Sequence, residues 1–215
     1  MSWESTIDPE LEVAYVSGQR RPSWPGLLER FAAVSEDLAG MPGVRLDLPY
    51  GPHPRQRFDV VPAVGRARGS LVFFHPGYWQ MRDKTLFRFL GVVFAAFGFD
   101  TIFPGYPLAP EASVGEITEA TRAIVAAVLD EARGRHGRAL PMVAAGHSAG
   151  GHLAVELALT DPARWGLSAS PIAGVLALSG VYDLAPLIRT SLDRALRLTA
   201  ETARAASPVH RAEGA

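Results

Sequence analysis

Met142-Val143-Ala144-Ala145-Gly146-His147-Ser148-Ala149-Gly150 runs from a short apolar segment into G-x-S-x-G, and a helical pattern follows from Gly151 to Thr160. The pattern predicts a strand, a sharp turn and a helix. A serine at such a turn sits in strained backbone, so residues two positions away must be small. Gly146 and Gly150 meet that need. The following helix aims its free N–H groups and positive dipole end at the turn. Ser148 is therefore the candidate nucleophile, and the backbone N–H of Ala149 a candidate oxyanion donor. The alternative is a glycine-rich turn that holds a serine by chance; the strand before and helix after favour the first reading.

Working outward, the chain alternates strands and helices. Ser70 to Phe74 is continuously apolar after its serine, as expected of a strand covered on both faces. Thr85 to Phe97 reads as a helix and Phe99 to Phe103 as a strand stopped by Pro104-Gly105. Val114 to Arg135 reads as one amphipathic helix with Ile117, Ala120, Ile124, Ala127, Val128 and Ala132 on one face. Ile172 to Leu178 reads as another buried strand, and Leu184 to Ser207 as helix. Toward the N-terminus, an extended arm is expected to end near Pro22 and Pro25, followed by a helix over Leu27–Leu38. Val44, Leu46 and Leu48 alternate with polar residues as a half-exposed strand, which Phe58–Val61 would pair antiparallel. The expected architecture is α/β, a mostly parallel sheet with helices on both faces. Its parts are an arm and helix over 1–40 and a domain over 41–215.

Ligands bind such sheets at the carboxyl ends of the strands. His75-Pro76-Gly77-Tyr78-Trp79 follows the strand ending at Phe74 and lies at such an end. Gly77 lets backbone approach a ligand closely. The N–H of Gly77 or Tyr78 would complete an oxyanion hole with that of Ala149. His75 is read as bracing this loop rather than moving protons, and with Tyr78 and Trp79 it is a candidate substrate contact. Tyr78 and Trp79 either line an aromatic-accepting pocket or simply pack. His147 adjoins the serine and His152 follows one helical turn later, so neither suits a base reaching Ser148 from another loop.

The bulk composition narrows the classes. A chain of 215 residues, 48% hydrophobic and 20% charged, suits one soluble domain. A net charge of −1 gives no footprint for nucleic acid or an anionic membrane. There is no cysteine, which excludes disulfides and thiolate chemistry. The acidic start and lack of an early apolar run suggest no signal peptide, and the longest apolar stretch, Phe89–Phe99, is too short to span a membrane. A cytoplasmic location is expected.

With both glycine-containing segments in hand, the chain resembles α/β-hydrolases of the kynurenine formamidase (arylformamidase) group, near the hormone-sensitive-lipase-like esterases. His75–Trp79 resembles the family's H-G-G-Y/F-W loop, with proline replacing the first glycine. Gly146–His152 resembles its G-H-S-A-G-G-H elbow. Phe103–Pro110 resembles its Y-R-L-A-P segment, Ser179–Leu184 its S-G-x-Y-D-L turn, and Ala206-Ser207-Pro208 its later S-P. The resemblance runs from about residue 40 onward. It implies hydrolysis of an aromatic formamide or ester through an acyl-enzyme, without metal or cofactor; N-formylkynurenine is the family's best-known substrate.

The resemblance also implies an acid after a seventh strand and a histidine after an eighth. The sequence is expected to stop after about the sixth, leaving Asp183 and His210 as the remaining acid and histidine. Asp183 is read as capping the helix at Leu184, and His210 as part of a terminal tail. The Ile172–Leu178 strand would then present an apolar edge, able to pair with a second copy. Two further readings follow: a catalytically impaired protein that binds aromatic small molecules, and an interaction protein that uses that edge.

Overall fold

Six strands form one sheet in the computed structural model, which describes residues 7–212. They are β1 (Arg45–Pro49), β2 (Arg57–Val61), β3 (Gly69–Phe74), β4 (Phe99–Pro104), β5 (Met142–His147) and β6 (Ile172–Leu178). Their spatial order is β1-β2-β4-β3-β5-β6. From β4 to β6 every pairing is parallel, whereas β2 runs antiparallel to both β1 and β4. The mostly parallel sheet and its antiparallel opening are as the sequence suggested.

The helices are α1 (Pro9–Tyr15), α2 (Trp24–Ala39), α3 (Leu90–Ala96), α4 (Val114–Arg122), α5 (Ile124–His136), α6 (Ala149–Ala158), α7 (Asp193–Leu196) and α8 (Ala200–Ala205). Alternation along β3 shows how they divide. Leu71 and Phe73 join Val61, Phe103 and Ala145 in packing on Leu38 of α2 and Ala95 of α3. Val72 and Phe74 point the other way. They join Val60, Ile102 and Ala144 against Ile117, Ile124 and Val128 of α4 and α5, and Leu153 and Leu157 of α6. Each such fully buried side chain contributes roughly 1.5–3 kcal/mol. This explains why β3 reads as a continuous apolar run: both of its faces are covered.

Several expectations about helices need correction. The N-terminal arm, whose first six residues lie outside the described residues, is not extended from Pro9 to Arg20. The Asp8 carboxylate accepts from the N–H groups of Glu10 (2.9 Å) and Leu11 (3.2 Å), and Pro9 occupies the first turn of α1. These are ordinary helix-start features. The Thr85–Phe97 helix is a 3-10 turn, Lys84–Phe87, followed by the shorter α3. The Val114–Arg135 helix is interrupted at Ala123, although Ile117, Ile124, Val128 and Ala132 are all buried as expected. The Leu184–Ser207 segment is a 3-10 turn (Ala185–Arg189), α7 and α8. Arg197, at φ 51°, ends α7, and a capping box on Thr199 starts α8 afresh.

Lys84, the chain's only lysine, is buried. Its Nζ lies 2.6 Å from Asp59 and 2.7 Å from Asp47, while Arg88 Nε lies 2.7 Å from the other Asp59 oxygen. Asp47 sits at a β-bulge with φ 54°, and its N–H also donates to Asp59 (2.8 Å). Burying Asp59, Lys84 and Arg88 is tolerable only because each is paired, with Asp47 joining from the exposed side.

β6 pairs with β5 alone among the described residues. It leaves Val175 (44%), Leu176 (39%) and Leu178 (51%) exposed. The sequence expectation of a strand buried on both faces is therefore corrected for this strand. The expected apolar edge is present.

Candidate active site

Ser148 lies between β5 and α6 with φ 55° and ψ −122°. A non-glycine residue there stores about 1–3 kcal/mol of strain. Its N–H donates to Leu178 O (2.9 Å), which fastens the turn to the end of β6. The flanking glycines are required by close backbone approach. A Cβ on Gly146 would lie 2.2 Å from Gly150 O, and one on Gly150 would lie 2.0 Å from Phe74 O. Among the described residues, the Ser148 hydroxyl has no hydrogen-bond partner.

The loop after β3 passes directly over this turn, since Gly150 abuts Phe74 O and His75 O. Three successive residues have positive φ: Gly77 (136°), Tyr78 (49°) and Trp79 (58°). Gly77 cannot be replaced without collision, because a Cβ there would lie 2.1 Å from Met81 O. Its carbonyl accepts from Gln80 (3.0 Å) and Met81 (3.1 Å), which closes the loop on itself. The N–H groups of Gly77 and Tyr78 donate to nothing among the described residues. Ala149 opens α6, where no intrahelical acceptor exists for its N–H.

The segment Phe103–Pro110 holds this loop. Tyr106 Oη donates to His75 O (2.7 Å), and Ala109 N–H donates to Trp79 O (2.7 Å). The Tyr106 ring stacks on His75 at 4.2 Å, and the Phe87 ring lies nearly parallel to His75 at 6.2 Å. His75 Nδ1 lies 2.9 Å from Pro76 O, so geometry assigns the proton to Nδ1. Burial, only partly opposed by the Pro76 carbonyl and Asp83, pushes the pKa of His75 down to about 4.

That shift has a stability consequence. A histidine held neutral in the fold but titrating near 6.5 when unfolded stabilises fully above pH 6.5. The contribution fades as pH falls from there toward 4. The loss is on the order of 3 kcal/mol. A His75→Gln protein should lose less stability than the parent between pH 6.5 and pH 4 in urea titrations. Equal losses would contradict this account.

A cavity of about 690 Å³ opens beside Ser148. Its lining includes Pro76, Gly77, Tyr78, His147 and Ser148, together with Tyr15, Trp24, Phe31, Arg82, Leu176 and Leu178. Its volume is within the usual range for small-molecule sites. The N-terminal arm supplies part of that wall. Tyr78 Oη donates to Tyr15 O (2.6 Å), and α1 is docked through Asp8–Arg189 (2.8 Å) and Glu12 to Ser191 N–H (2.8 Å). Burial, with the Arg82 charge, lowers the pKa of His147.

The expected substrate contacts divide. Tyr78 lines the cavity. His75 and Trp79 do not and are corrected: His75 is enclosed by Tyr106 and Phe87, and Trp79 is fully buried, edge-on to His152 at 5.0 Å. His152 is committed elsewhere, its Nε2 donating to Ala206 O (2.8 Å). Asp183 accepts from Ala185 N–H (3.0 Å) just ahead of the 3-10 turn, whose N-cap is Leu184, and His210 is exposed at a 3-10 turn. Neither lines the cavity. Sequence reasoning missed Tyr15, Trp24 and Arg82. Only the Asp8-Pro9 helix-start signal could have shown that the arm is structured.

A serine on a strained strand-to-helix turn, under a glycine loop from a neighbouring parallel strand, defines an α/β-hydrolase. Consistent with this, residues 71–209 match the family described as alpha/beta hydrolase fold, and the chain belongs to that family. Within it the chain is kynurenine-formamidase-like. It is 31% identical to the kynurenine formamidase of Danio rerio over 96% of this chain and 71% of that protein. It is also 31% identical to that of Salmo salar, over 81% of this chain but only 58% of that protein. A solved structure described as a putative thioesterase from Silicibacter sp. TM1040 superposes with a TM-score of 0.80 at 35% identity, covering 93% of this chain and 74% of that one. Esterase B from Lactobacillus rhamnosis shares the fold, with a TM-score of 0.57 at 21% identity over 77% and 58% of the two chains.

Proposed function

We propose that the protein is a serine hydrolase of aromatic formamides or related esters, with N-formylkynurenine as the leading substrate. The strained backbone of Ser148, open to an aromatic-walled cavity, carries this reading. In the proposed reaction Ser148 Oγ attacks the formyl carbon. The oxyanion is received by the N–H of Ala149 together with that of Gly77 or Tyr78. Each such donor contributes roughly 2.7–4 kcal/mol to the transition state. The proton lost by the serine hydroxyl ends on the departing nitrogen, so collapse of the tetrahedral intermediate breaks the C–N bond, expels the neutral arylamine, here kynurenine, and leaves a formyl ester on Ser148. Water then releases formate and restores the serine. Similarity to the fish kynurenine formamidases supports the substrate class. A chain without cysteine is compatible with a cytoplasmic site of action.

The test is release of kynurenine and formate from N-formylkynurenine by the purified protein, with aryl formates as a second substrate set. No turnover of either above the Ser148→Ala background would sink the reading. The unpartnered Ser148 hydroxyl favours one second reading, an impaired hydrolase that binds aromatic small molecules without cleaving them. Saturable binding of kynurenine without turnover would support that alternative.

The exposed apolar edge of β6 supports association of two copies through their identical edges. Light scattering should then give a mass that rises toward the dimer with concentration, and Leu178→Lys should abolish the rise. A monomer at all concentrations would contradict it.

A further inference from the structure

Among the described residues, the cavity beside Ser148 is lined by two arginines and a histidine and by no carboxylate. Arg21 is exposed, whereas Arg82 is partly buried in the wall. The Arg82 backbone is held at φ 75°. Its carbonyl accepts from Arg55 Nη2 (2.9 Å), and Arg55 also pairs with Asp83 (3.1 Å). The guanidinium Cζ lies 5.0 Å from the centroid of the Trp24 ring. This cation–π contact holds the guanidinium beside the ring, and among the described residues its N–H groups donate to nothing. Its charge reaches the elbow, since Arg82 is among the causes that lower the pKa of His147.

A guanidinium presents donors in a planar fork that matches a carboxylate. Arg82 is half-buried and no acidic residue is among the cavity's described lining, so its guanidinium is available to an anionic ligand entering that space. The aromatic residues Tyr15, Trp24 and Tyr78 around the same space accept a ring. We propose that Arg82 is a specificity residue that recognises a carboxylate at the end of the substrate remote from the acyl group, so that aromatic substrates bearing an anionic side chain are preferred to neutral ones. The proposal rests on the hydrolase reading of the Ser148 site for the word substrate, but not for the binding it predicts.

Binding is therefore measured first, in a Ser148→Ala background. The probes are 4-(2-aminophenyl)-4-oxobutanoate, with ring and carboxylate, and 2-aminoacetophenone, with the ring alone. The acid should bind about 10- to 100-fold more tightly than the ketone. Arg82→Gln should remove that difference while leaving the ketone within about twofold, and Arg82→Lys should restore part of it. Equal affinities, no binding of the acid, or equal weakening of both probes by Arg82→Gln would overturn the proposal. The last result would make Arg82 only a brace for Trp24. The N-formyl derivatives of both probes are then offered to the protein with Ser148 intact. Arg82-dependent binding without turnover would sink the hydrolase reading and leave this one standing. Turnover of both derivatives at equal kcat/KM would overturn this one and leave the hydrolase reading intact.

Discussion

Ser148→Ala is expected to lower kcat for N-formylkynurenine by on the order of 10⁴ to 10⁶ while leaving substrate affinity nearly unchanged. The proposed acyl-enzyme requires an oxygen on this Cβ, and no other hydroxyl is proposed to replace it. The substitution should not disturb the fold. Alanine keeps the Cβ that already occupies the backbone at φ 55°, so the strain is neither added nor removed. The lost hydroxyl makes no hydrogen bond among the described residues, so no buried partner is orphaned. Urea midpoints of the two proteins should agree to within about 0.5 kcal/mol. A large loss of stability, or an unchanged kcat, would contradict the assignment.

Gly150→Ala should have the opposite signature, with fold and activity lost together. The new Cβ would lie 2.0 Å from Phe74 O, 2.5 Å from Phe74 C and 2.8 Å from His75 O. All three are backbone atoms at the end of a central strand, so nothing can swing aside as a flexible side chain could. Relief requires parting α6 from β3, which would expose the packing around Ala149 and Leu153. The expected cost is about 3 kcal/mol or more, at the upper end for overpacking. Gly134→Ala in α5 is the control. Nothing lies within 4 Å of the position a Cβ would take there, so it should stabilise by about 0.5–1 kcal/mol. If Gly150→Ala unfolds no more readily than Gly134→Ala, the steric account of G-x-S-x-G in this chain is wrong.

The elbow was legible in the sequence because its constraints are local. Crowding between Gly146 and Gly150 acts over four residues, and the apolar run into β3 reports burial on both faces directly. The loop at Gly77 was legible for the same reason. What the sequence hid depends on segments far apart in the chain. Trp79 and Tyr78 are adjacent and both aromatic, yet one is buried against His152 and the other opens to the cavity. Consecutive positive φ values turn them apart, and no composition rule reports such angles. The charge cluster of Asp47, Asp59, Lys84 and Arg88 likewise joins three separate segments.

The N-terminal arm shows a different failure. The arm was expected to run extended to about Pro22 and Pro25, but Pro9 and Pro25 occupy the first turns of helices, where a missing N–H costs nothing. Docked by Asp8 and Glu12, the arm carries Tyr15 to the cavity, and Trp24 of α2 follows it there. At the other end, Leu184–Ser207 had helical composition but is divided by the left-handed Arg197 and the new cap at Thr199. Propensity alone does not locate such breaks.

The most direct test of the central claim is covalent. The protein and its Ser148→Ala variant are incubated with a fluorophosphonate, then weighed intact and mapped by peptide. The account predicts one phosphonyl adduct per chain, located on Ser148 and absent from the variant. No adduct under conditions that label an active serine hydrolase, or an adduct that persists in the variant, would contradict it.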